Sequence, residues 1–245
     1  MANWSDPRSG VAGFGNATAA RGEAFDAGLR RYMLSVYNYM ASGVLLTGIV
    51  ALLFASSGLA YQVLAGPGIL KYIIMFAPLA FVMVLSFGIN RLSTATAQAL
   101  YWVYAAVMGL SLSSIFLVYT GTSIAQTFFA TAAAFAGLSL WGYTTKKDLS
   151  GFGTFLIMGV VGLLVASLIN LFLRSSAMDL VISFLGVLLF AGLTAYDTQK
   201  IKSIYAHVAG TDMMGKSVVM GALNLYLDFI NMFLFLLRFM GGSRD

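Results

Sequence analysis

The stretch FGTFLIMGVVGLLVASLINLFL, Phe152–Leu173, decides the class of this protein, because it runs for 22 residues without a charged side chain. About 20 apolar residues carry an α-helix across roughly 30 Å of hydrocarbon. The stretch is continuous rather than alternating with period two, so it does not read as a barrel strand. In lipid every backbone N–H and C=O must find its partner within the segment, and a helix is the form that does this.

Working outward, similar runs recur at Tyr32–Ser56, Lys71–Asn90, Gln98–Tyr119, Ser123–Tyr143, Met178–Gln199 and Val218–Arg238. The sequence therefore predicts an all-α membrane protein of seven transmembrane helices. Between the runs lie loop-forming residues: Gly66-Pro67-Gly68, Asn90–Thr94, Thr120-Gly121-Thr122, Thr144–Gly151, Arg174–Ala177 and Lys200–Ser217. Residues 1–31 are polar and rich in Gly, Ala, Ser and Asn. They read as a flexible cytoplasmic tail ahead of a 32–245 membrane domain, and they lack the pattern of a cleavable signal.

Composition agrees. Of the 245 residues, 60% are hydrophobic and 9% charged, against about 25% charged in soluble domains. There is no cysteine, which removes disulfides, thiolate metal sites and cysteine nucleophiles. The net charge of +5 records orientation rather than nucleic-acid binding. Ten Lys and Arg fall on the side of the N-terminus and four on the other. The positive-inside rule then places the N-terminus in the cytoplasm and, after seven spans, the C-terminus outside. A re-entrant seventh segment would return the C-terminus to the cytoplasm. The absence of cysteine and signal fits a bacterial inner membrane.

Small residues inside the spans, such as Gly43 and Thr47, Ala132 and Ala136, and Gly159 and Gly162, are the ordinary contact surface of membrane helices. Charges inside the spans are rarer and more informative. Asp179 and Arg238 lie at span ends, within reach of the interface, whereas Asp197 and Asp228 lie deeper. Intramembrane carboxylates are expensive and face the bundle interior. Asn224, Asp228 and Asn231 form one stripe at i, i+4 and i+7, so the seventh helix is expected at the centre of the bundle. Thr194 and Asp197, at i and i+3, form the facing candidate. Two carboxyls in a poorly hydrated site do not both ionise cheaply and tend to share a proton, which makes the pair a candidate proton sensor. The alternative is a hydrogen-bonded carboxyl pair that only fixes packing. Arg91 stands on the same side, as a latch for an ionised aspartate or simply as a positive-inside anchor.

Ala195-Tyr196-Asp197-Thr198-Gln199-Lys200-Ile201-Lys202, Leu225-Tyr226-Leu227-Asp228-Phe229-Ile230-Asn231 and Gly142-Tyr143-Thr144-Thr145-Lys146-Lys147-Asp148-Leu149-Ser150 resemble the Bax inhibitor-1 family, also called transmembrane Bax inhibitor motif proteins. The resemblance covers nearly everything after the tail and is to a bacterial member. It implies a seven-helix fold whose members include calcium leak channels regulated by pH, with anti-apoptotic roles in eukaryotic relatives. It also implies a two-aspartate sensor at Asp197 and Asp228, which would transiently ligate Ca²⁺, and an arginine latch at Arg91. Here the latch stands alone between Asn90 and Leu92, where the family has several basic residues.

The leading expectation is thus a pH-regulated cation leak, not an enzyme, with calcium as the transported ion and no cofactor. A second is a regulator that binds other membrane proteins, such as proteases or cell-death proteins. A third, an intramembrane aspartyl protease, would use the same two carboxyls. It wants Gly-x-Gly-Asp where this chain reads Leu225-Tyr226-Leu227-Asp228. A retinal lysine is missing from the last helix, His207 has no second histidine for zinc proteolysis, and Gly215-Lys216-Ser217 lacks the upstream glycine of a phosphate loop.

Overall fold

The computed structural model describes the backbone of residues 8–242 and the side chains of residues 22–242. Its helices are α1 (Arg8–Ser56), α2 (Leu70–Gly88), α3 (Thr94–Leu112), the short α4 (Ile115–Val118), α5 (Gly121–Thr144), α6 (Ser150–Leu173), α7 (Ser176–Val208) and α8 (Met213–Met240). A single π-helical turn, Tyr61–Ala65, lies between α1 and α2. Seven segments among the described residues are long and apolar enough to cross a membrane, α3 and α4 together forming the third. The all-α, seven-span expectation is met. The outward faces carry large apolar side chains such as Phe172 and Phe87, each more than four-fifths exposed. Such a surface suits lipid, where it costs nothing, and not water.

Hydroxyl side chains start three of the helices. Ser93, Thr120 and Ser175 accept from the N–H groups of Thr96, Ser123 and Met178 at the first turns of α3, α5 and α7. Pro78 lies inside α2 and has no N–H to offer the carbonyl of Ile74. Ser111 of α3 donates its hydroxyl to that carbonyl instead. A neighbouring helix thereby repairs the break, as buried backbone in a membrane requires.

Helix α8 sits at the centre. Two-thirds of its apolar window is buried, against at most one-third for any other span. It packs on α7, α1, α5 and α3, while α2 leans on α3 and α6 on α7 at the periphery. Leu223, Leu225 and Tyr226 of α8 are fully enclosed, together with Val36 of α1 and Tyr101 and Tyr104 of α3.

Helix boundaries differ from the hydropathy reading, most of all at the start of α1 and the end of α7. Helix α1 is already helical well before Tyr32, with Leu29 buried and the Phe25 ring 5.1 Å from the Tyr205 ring. The ordered bundle therefore includes residues assigned above to the tail. Helix α7 continues from Gln199 to Val208, so the Lys200–Ser217 loop shrinks to a turn around Gly210, whose φ of +74° suits glycine. His207 accordingly lies in the last turn of a helix. The physical reason is the same at both ends: hydropathy records where lipid stops, whereas backbone hydrogen bonding continues into water.

Candidate functional site

Asp228 is buried on the central helix and its Oδ2 has no hydrogen-bond partner among the described residues. Native proteins rarely leave a buried polar atom unpaired, so this oxygen is available to take a proton or to ligate a cation. Asp197 approaches from α7, half-buried, near enough for the two charges to interact. The Asp228 Oδ2 accepts no bond from Asp197 among the described residues. The Lys200 ammonium lies within electrostatic reach of both carboxyls, and also 5.8 Å from the Tyr196 ring centre.

None of the other expected site residues bonds to this pair among the described residues. Thr194 donates to the Phe190 carbonyl and Asn231 to that of Leu227, each at 2.8 Å on its own helix. Asn224 lines a small cavity of about 140 Å³ between α7 and α8. Arg91 is exposed in the turn between α2 and α3 and makes no ion pair with either aspartate. The ion pair among the described residues joins Arg238 to Asp179 at 3.6 Å. Both partners are nearly half exposed, so it adds little stability.

The sequence reading missed a second polar face on α8. Tyr226 precedes Asp228 by two residues and so points to the opposite side of the helix. Thr47 donates to the Ala105 carbonyl at 2.8 Å, which leaves the Tyr226 hydroxyl to donate to Thr47 Oγ1 at 2.7 Å. The Tyr104 ring packs edge-on against Tyr226 at 5.3 Å, and the hydroxyls of Tyr104 and Tyr32 are buried without partners among the described residues. The signal available in the sequence was the recurrence of tyrosine within apolar runs.

Also missed was a clamp at the end of α5. Gln199 accepts from the Leu149 N–H at 2.9 Å and donates to the Lys147 carbonyl at 2.8 Å, tying the loop between α5 and α6 to α7. In the same loop the Ser150 hydroxyl and, after it, the Ser150 N–H at 2.9 Å hold the Asp148 carboxyl below the usual range. Gln199→Leu removes both clamp bonds two residues from Asp197. It is expected to speed tryptic cleavage after Lys146 and Lys147 severalfold in detergent-solubilised protein, while cleavage after Lys216 keeps its wild-type rate. Unchanged loop cleavage would mean the clamp does not restrain the loop.

A family profile described as "Inhibitor of apoptosis-promoting Bax1" matches residues 29–245. An uncharacterised protein of Rickettsia prowazekii is 50% identical over 229 residues, covering 93% of this chain and 96% of the relative. The inner membrane protein YbhL of Escherichia coli is 47% identical over 220 residues, covering 89% of this chain and 94% of the relative. An uncharacterised Caulobacter vibrioides protein is 49% identical over 231 residues, covering 90% and 92%.

Proposed function

The chain belongs to the Bax inhibitor-1 family, and on that premise we propose that it is a passive, pH-regulated cation leak whose transported ion is Ca²⁺. The observation that carries this reading is the buried, unpartnered Asp228 oxygen on the central helix, with Asp197 in electrostatic reach. Ionised carboxylates are hard oxygen ligands of the kind Ca²⁺ takes. Two of them fall well short of the six to eight oxygens that retain the ion, which suits a cation in passage.

Protons compete for the same oxygens. A protonated carboxyl presents an O–H donor in place of a negative oxygen, so cation flux rises with pH as the pair ionises. Lys200, close to both carboxyls, competes for their charge from α7 itself. Arg91 would have to swing from its exposed turn to act as a latch. By the charge asymmetry of the loops and the likeness to an inner membrane protein, we place the chain in a bacterial inner membrane with its N-terminus in the cytoplasm and its C-terminus outside.

The test is calcium entry into proteoliposomes holding a calcium dye, followed across a pH series. Flux above protein-free vesicles, rising with pH, is expected. Flux equal to empty vesicles, or identical at every pH, would refute the reading.

A further inference from the structure

Between α1 and α5 the bundle is not closed. A groove of about 780 Å³ separates the two helices, with Phe229 of α8 at its floor. Its walls are helical stripes, Leu34, Tyr37 and Ala41 on α1 facing Ala132, Ala136 and Tyr143 on α5. The lining residues run from Arg30 to Leu45 on α1, about 22 Å at 1.5 Å per residue. The walls are almost wholly apolar, but one end is basic. Arg30 lines that end, and Lys202 lies behind Tyr143, its ammonium 4.8 Å from the ring and donating to the Tyr143 carbonyl at 2.7 Å. Asp26 stands one turn before Arg30, yet no ion pair among the described residues uses either charge.

We infer that this groove holds one acyl chain of an anionic phospholipid, with the phosphate beside Arg30 and the chain running down to Phe229. The groove is longer than one leaflet's share of the hydrocarbon, about 15 Å, so a single chain fits along it. Basic pockets between helices on the cytoplasmic side recognise anionic headgroups. The orientation proposed above puts the Arg30 end there, and the inference rests on that orientation only for the choice of leaflet.

Native mass spectrometry of the intact protein, after exchange with phosphatidylglycerol or phosphatidylcholine in detergent, reads retained lipid directly. Wild type is expected to keep one phosphatidylglycerol about fivefold better than phosphatidylcholine. Arg30→Gln, at an exposed position, is expected to bring the two lipids level. Ala136→Trp and Ala41→Phe, which fill the groove from opposite walls, are expected to lose the retained lipid. Equal retention of both lipids by wild type would overturn the proposal, and so would retention unchanged in a folded groove-filling variant. A wild-type dimer that Ala136→Trp dissociates would assign the groove to a second copy instead. Calcium flux does not enter these readouts, so their failure is distinct from failure of the proposed leak.

Discussion

Asp228→Asn is expected to lower calcium flux in proteoliposomes by at least about tenfold and to flatten its pH dependence, without loss of the fold. Tenfold corresponds to about 1.4 kcal/mol, less than many hydrogen bonds to a charged group contribute, so the bound is modest for an ionic ligand. Asparagine keeps the shape of the side chain and removes its titration and negative charge. The buried Oδ2 of Asp228 has no partner to lose among the described residues. The thermal midpoint in detergent should therefore be unchanged or higher, since burying an unpaired charge is costly. A structural role predicts the reverse pattern, with lost stability and an intact pH profile. Asp197→Asn should act in the same direction but more weakly, because Asp197 is half-buried and Lys200 remains beside it. If the carboxyls titrate as one unit, the double variant will resemble Asp228→Asn alone rather than the product of the two. Wild-type flux and pH response in Asp228→Asn would remove Asp228 from the ion path.

The parts of this molecule that were legible in its sequence are those that lipid makes expensive to get wrong. Apolar runs mark the spans because no other backbone solution survives in hydrocarbon. Asp228 stood out because a carboxyl there needs a reason, and the Asn224, Asp228 and Asn231 stripe correctly placed α8 inside the bundle. The stripe did not foretell bonding: Asn231 turned to its own helix. The Thr47–Tyr226 bond was invisible for the opposite reason, since threonine and tyrosine sit comfortably in apolar helices and their pairing depends on which helices meet. The small-residue pairs divided in the same way. A Cβ on Gly43 would strike the Tyr101 hydroxyl, whereas Gly162 has nothing within 4 Å and Ala132 and Ala136 line an open groove. Packing partners, unlike spans, are not written along one helix.

Gly142→Ala is expected to destabilise the bundle and to blunt the pH response of calcium flux, although alanine is the better helix former. In helix propensity alone alanine gains about 1 kcal/mol over glycine. At Gly137, where an added Cβ meets nothing within 4 Å, that gain should be the whole effect, and Gly137→Ala serves as the control. At Gly142 the new carbon would lie 2.3 Å from the Ala195 carbonyl oxygen and 2.9 Å from its carbonyl carbon and Cα. These are backbone atoms of α7, which cannot rotate aside, so α5 and α7 must separate. Overpacking of this kind costs about 1–3 kcal/mol, enough to cancel or exceed the propensity gain, and Gly142→Val should cost more. Gly153 offers a graded comparison, because the atom its Cβ would strike belongs to the Tyr196 ring, a side chain that can turn away. Gly142 and Gly153 thus press α7 from two sides at Ala195 and Tyr196, immediately before Asp197. Moving α7 off α5 shifts Asp197 relative to Asp228, so the loss of thermal midpoint and the change in pH response should appear together in Gly142→Ala and be absent from Gly137→Ala. If Gly142→Ala instead melts as high as Gly137→Ala with a wild-type flux profile, the close contact of α5 with α7 does not set the position of the carboxyl pair.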